Sequence, residues 1–162
     1  MNNLRSLCIG ITFAFGTLST ANALDPNTGH IPISSYAFSA YNKCFQMDTF
    51  SDVQKEAAIR GNAAMDEGRK TLLKKEKKNR IIRRYFSALN RPDNWHFFNQ
   101  EKSNNPNIKD EQGFINFTFV NLWNDAIDRF HQMDTDSNKM LFTGALLHLI
   151  EDTSVPAHVV PV

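Results

Sequence analysis

Two cysteines in 162 residues are too few for a disulfide framework. Cys8 falls in a stretch expected to be removed, which leaves Cys44 alone, expected as a small core residue, with pairing between chains the alternative. An excess of one charge is lacking too. Eighteen basic against seventeen acidic residues give +1 with histidine neutral, so no global field steers the chain to nucleic acid or to a membrane. No convincing strand pattern, internal repeat or low-complexity linker is present, which excludes sheet folds and solenoids. No serine has a histidine at a suggestive position, so a serine nucleophile with its base is not legible.

What is present begins with a leader. Residues 1–23 combine a positive start at Arg5, an apolar run over 7–18 broken only by Thr12 and Thr17, and the small-x-small end Ala21-Asn22-Ala23. The run is too short to remain as a membrane anchor. The expectation is an exported protein, periplasmic or secreted, whose mature chain starts at Leu24. Losing Arg5 and no acid brings that mature chain to zero net charge. The remaining 24–162 suit one compact domain.

Four or five helical segments are expected along it. Pro32 fits a first helical position, and Ile33, Ala37, Ala40, Tyr41 and Cys44 then recur on one face. Ser51-Asp52-Val53-Gln54 has the form of a capping box opening a helix toward Met65. Residues 69–89 predict an interrupted third helix. Phe119, Trp123, Ala126, Ile127 and Phe130 line a fourth, and 141–152 form a fifth, stopped by Pro156. The polar stretch 99–112 reads as a long loop. These pieces predict an all-α fold, an antiparallel multi-helix bundle.

The third segment holds half of the eighteen basic residues: Arg69, Lys70, Lys74, Lys75, Lys77, Lys78, Arg80, Arg83 and Arg84. Such a run could hold phosphate groups or meet an anionic membrane surface transiently. A solvated helix face is the favoured reading, since Ile81, Ile82, Tyr85 and Phe86 give it a core-facing stripe. No stable protein partner is evident.

The chemistry sits in Gly144-x-x-x-His148-x-x-x-Asp152-x-x-x-Pro156-x-His158. A helix puts His148 and Asp152, four apart, on one face, where imidazole and carboxylate can grip one cation. Gly144, a turn earlier, leaves room for another helix or for the metal. Pro156 turns the chain, so His158 can point back to the same cavity. Zinc accepts this nitrogen and oxygen set. From spacing alone a helix-end salt bridge between His148 and Asp152 is the stronger reading.

The motif resembles the signature of the zinc-dependent bacterial phospholipases C, shared with the fungal single-strand-specific nucleases. Other pieces match in the family's order. Ala58-Ile59-Arg60-Gly61-Asn62-Ala63-Ala64-Met65-Asp66-Glu67 is similar to its apolar-Gly-Ala-Glu-Asp segment, and Asn94-Trp95-His96-Phe97-Phe98-Asn99 to its Asn-His-Phe-Tyr segment. His30 lies shortly after the expected mature terminus, where the family has an early histidine. The resemblance implies a phosphodiester hydrolase, a phospholipase C acting on phospholipids or a nuclease, with two to three zinc ions. It implies Asp66, His96, His148 and Asp152 on one zinc, with Asp93 competing as a ligand. Asp152 would bridge to a second zinc, held also by His30 and by the amine and carbonyl of Leu24; His158 would bind a third. Asp66 is implied to orient or deprotonate the attacking water. The family's later His-x-x-x-Glu or Asp pair is not in the sequence, so the chain is expected to be a C-terminally truncated form, and a non-catalytic metal-binding relative is the alternative. His131 has no counterpart and reads as a surface residue, and Trp95, Phe97 and Phe98 as cleft or core.

Overall fold

The computed structural model describes residues 25–47, 49–86 and 119–154; all regular structure among them is helical. A π-helical turn, Pro26–His30, leads into α1 (Ile31–Cys44). Then come α2 (Asp52–Glu67), a 3-10 turn (Gly68–Lys70), α3 (Lys74–Lys78), α4 (Arg80–Tyr85), α5 (Phe119–His131) and α6 (Asp136–Thr153).

Local chemistry accounts for most boundaries. Asp25 Oδ1 accepts from the backbone N–H groups of Asn27 and Thr28, which winds the turn that delivers His30. The capping box of α2 forms: Ser51 Oγ accepts from Gln54 N at 3.3 Å and Gln54 Oε1 accepts from Ser51 N at 2.9 Å. Gly68, at a φ of 62°, closes α2 in a conformation costly for any residue with a Cβ. An interruption of the third segment falls at Asn79, whose backbone N–H donates to the Glu76 carbonyl at the end of α3 and whose side chain accepts from the N–H groups of Ile81 and Ile82 to begin α4. Thr135 caps α6, which starts at Asp136, five residues before the expected start at 141.

The central packing is α2 against α6, and glycine sets its distance. A Cβ on Gly61 would meet the Leu141 carbonyl oxygen at 1.9 Å; one on Gly144 would meet that of Ala58 at 1.9 Å. Gly144 therefore makes room for a helix rather than for an ion. Ala57, Ala58, Ala64 and Ala145 are fully buried in the same packing. The main core gathers Met65, Ile82, Tyr85, Phe86, Leu122, Leu141, Phe142 and Leu149, so α4 and α5 cover the pair. Phe38, Ala57, Ala58 and Met140 form a smaller core under α1.

Three expectations need correction. The buried face of α1 is Ser34 and Phe38, continuing from His30, whereas Ile33, Tyr36 and Tyr41 are exposed. Apolar periodicity misplaced this face because two of its inward residues are polar. Second, α2 and α6 run in the same general direction: Asn62 and Asp66 both reach His148, and the C-terminal halves of the two helices meet. The antiparallel expectation holds for neighbours in sequence, and these two are separated by α3 to α5. Third, Cys44 is not a free thiol. Among the described residues, no helix is long and apolar enough to cross a membrane.

Candidate metal centre

Four side chains from three separate segments converge at the junction of α1, α2 and α6. His30 comes from the entry to α1, Asp66 from the last turn of α2, and His148 and Asp152 from successive turns of α6. His30, His148 and Asp152 are buried, while Asp66 is the solvent-facing member, its side chain 26% exposed. The two imidazole rings stack at 4.1 Å between centroids. His30 Nε2 lies 3.3 Å from Asp152 Oδ1 and 3.9 Å from Asp66 Oδ2. His148 Nε2 lies 3.1 Å from Asp152 Oδ2 and 3.6 Å from Asp66 Oδ1. Each carboxylate thus turns one oxygen to each histidine.

The far sides of both rings are tied down by residues that sequence reasoning missed. His30 Nδ1 donates to Glu151 Oε2 at 2.7 Å. Glu151 Oε2 also accepts from Asn62 Nδ2 at 2.9 Å, and Glu151 Oε1 accepts from Ser34 Oγ at 2.8 Å. Asn62 Nδ2 donates to Ser34 Oγ as well, so its amide nitrogen is used as a donor and Oδ1 must accept from His148 Nδ1, at 3.1 Å. Acceptors on both Nδ1 atoms require a proton there. In the neutral ring the Nε2 lone pair then points at Asp66 and Asp152, which is how outer partners orient metal-binding histidines. A signal for these residues did exist: Ser34 is four after His30, Asn62 four before Asp66 and Glu151 three after His148, each on the helical face of its neighbour.

The electrostatics call for a cation. Asp66 and Glu67 end α2, Glu151 and Asp152 end α6, and neither last turn carries a basic residue. Carboxylates there oppose the negative end of the helix dipole, at about 0.3–1 kcal/mol each on an exposed surface. Asp152 and Glu151 have the further cost of burial. Burial pulls the His30 pKa down, but contacts with Asp152 and Glu151 outweigh it and raise it to about 9. Burial also depresses the His148 pKa and there it wins over Asp152. Without metal, the proton on His30 is the positive charge of the cluster.

His30, Asp66 and His148 form a group that could hold a metal ion. The fit is good on two counts. His30 Nε2, though buried, makes no hydrogen bond to a described residue. One donor atom from each of the three lies within 4.8 Å of the other two, near enough to share one ion. Asp152 adjoins the group, with Oδ1 3.3 Å from His30 Nε2 and Oδ2 3.1 Å from His148 Nε2. His148 and Asp152 are therefore part of a buried multi-residue cluster, not an isolated pair at a helix end. His131 is exposed, as expected, against Phe130. Leu24, Asp93, His96 and His158 lie outside the described residues, as do Trp95, Phe97, Phe98 and the stretch 99–112. Comparison with family models, with curated proteins and with solved structures finds no match to this chain.

Proposed function

We propose that this chain is a zinc-dependent phosphodiester hydrolase of the phospholipase C type, exported and acting on phospholipids. The observation that carries the reading is the buried pair of Nε2 atoms facing two carboxylates, each carboxylate shared between both rings. A mixed nitrogen and oxygen set suits zinc; calcium and magnesium favour oxygen alone. His30, Asp66, His148 and Asp152 would hold the ion or ions, with Asp152 as the shared anion. The chemistry that zinc supplies is charge neutralisation at phosphoryl oxygens and a lowered pKa for water.

The chain's own residues have separable tasks. Glu151 and Asn62 hold the two rings in one tautomer and orientation, so the Nε2 lone pairs need no rearrangement on binding. Asp152 is buried and anchors. Asp66 is open to solvent, where it can accept a proton from an entering water and pass it out. The test is hydrolysis of a soluble phosphodiester by the purified chain, with zinc and after chelation. Zinc-dependent turnover that Asp66→Asn abolishes is the expected result; turnover unaffected by chelation would sink the reading.

One observation favours a second reading, a non-catalytic cluster. The raised pKa of His30 means that a proton can supply the positive charge between Asp152 and Glu151. Under that reading added zinc neither binds nor displaces a proton. Calorimetric titration in buffers of different ionisation enthalpy separates the two, because zinc taking the Nε2 lone pair of His30 must release its proton.

A further inference from the structure

The segment after the metal cluster carries a second feature. Between Arg69 and Arg84 the sole acid is Glu76. It is buried, 2% exposed, and committed inward: Oε1 accepts from Arg60 of α2 at 2.9 Å and Oε2 from the backbone N–H of Leu73 at 3.0 Å. Ile82, Tyr85 and Phe86 fix the other end of the segment in the main core. The expected core-facing stripe is thus present. What remains outside is cationic: all four lysines of α3 and the three arginines of α4 are exposed, and none forms an ion pair with a described residue. Seven of the eighteen basic side chains thus stand on one anchored surface.

We infer that the outer face of α3 and α4 is an electrostatic docking surface for an anionic lipid bilayer. The choice of partner rests on the lipid-directed reading above; the surface itself rests on the placement of charge. Two observations favour lipid over nucleic acid. The aromatic residues of the segment, Tyr85 and Phe86, are buried, so it offers no platform for stacking bases. Leu73, at the start of α3 and 46% exposed, presents an apolar side chain beside Lys74 and Lys75, as a headgroup boundary would accept. The segment also begins three residues after Asp66, the solvent-facing member of the cluster.

Each cation near an anionic leaflet contributes about fivefold in partitioning. The test is co-sedimentation of the chain with vesicles of phosphatidylcholine alone and with about one third phosphatidylglycerol, over a salt series. Binding to the anionic vesicles only, released by salt, is expected. Combined Lys74→Gln, Lys75→Gln, Lys77→Gln and Lys78→Gln should lower that partitioning by at least about 100-fold with an unchanged melting curve. Equal binding to both vesicles, a wild-type signal unaffected by salt, or tighter binding to oligothymidine than to anionic vesicles would each overturn the inference; the salt series on wild type decides even if the variant folds poorly. Hydrolysis of a soluble phosphodiester is measured in parallel. Vesicle binding lost with that hydrolysis intact removes the docking surface alone, whereas the reverse removes the hydrolase reading alone.

Discussion

The cluster at the end of α2 and α6 and the surface of α3 and α4 treat charge in opposite ways. In the first, carboxylates are gathered at the negative ends of two helices, and burial adds to the cost for Glu151 and Asp152, which meet His30, Ser34 and Asn62 from other segments. In the second, cations spread over solvent with their one acid turned inward. The first arrangement is costly until a positive charge enters, so it is poised for a cation; the second costs the fold little and is free to meet an anionic surface. Burial decides which charges the fold must answer for. The metal-facing residues should therefore couple to stability and pH, and the lysines should not.

The sharpest way to break the contrast is to separate α2 from α6. Gly144→Ala drives a Cβ into backbone, which no rotamer relieves. It should cost about 3 kcal/mol or more and remove zinc binding, read by thermal melting and metal analysis. Unchanged melting would mean that the helices do not cross as described.

Glu151→Gln is the next test. It keeps the shape but removes the charge behind His30. Zinc affinity should fall roughly 10- to 100-fold, measured by competition with a chelating dye. A variant with wild-type affinity would make Glu151 a packing residue only.

Protonation gives a third effect. In metal-free protein His30 has a folded pKa near 9 against 6.5 unfolded. Its contribution to stability is full below pH 6.5 and is lost as pH rises toward 9. Denaturant melts of the chelated protein should weaken across that window, and Glu151→Gln should flatten the slope. A stability constant from pH 6.5 to 9 in the chelated protein would contradict the assignment. The smallest effect belongs to the other region: Lys75→Ala should move stability by no more than about 0.5 kcal/mol at any pH, on the same melts.

Much of this was legible beforehand, for physical reasons that differ by residue. The capping box at Ser51 and the break within 69–89 depend on side chains a few positions apart, and sequence carries such information directly. His148 and Asp152 were readable because helical spacing puts them together. His30 and Asp66 could be linked to them only by resemblance, since no local rule joins segments more than 80 residues apart. Ser34, Asn62 and Glu151 escaped because their partners lie on other helices, and the polar Ser34 hid the inward face of α1. The direction of α2 against α6 also escaped, because a close crossing of small residues leaves no periodic mark.

The central claim is that the cluster holds zinc. Equilibrium dialysis of zinc against wild type, Asp152→Asn and His131→Ala tests it most directly. Asp152→Asn keeps the shape and removes the charge shared between His30 and His148. Wild type and His131→Ala should bind zinc alike, Asp152→Asn should bind far more weakly, and phosphodiester hydrolysis should fall with it. Zinc content and rate unchanged in Asp152→Asn would mean that no zinc is held there and that the cluster is a buried, proton-filled ion group.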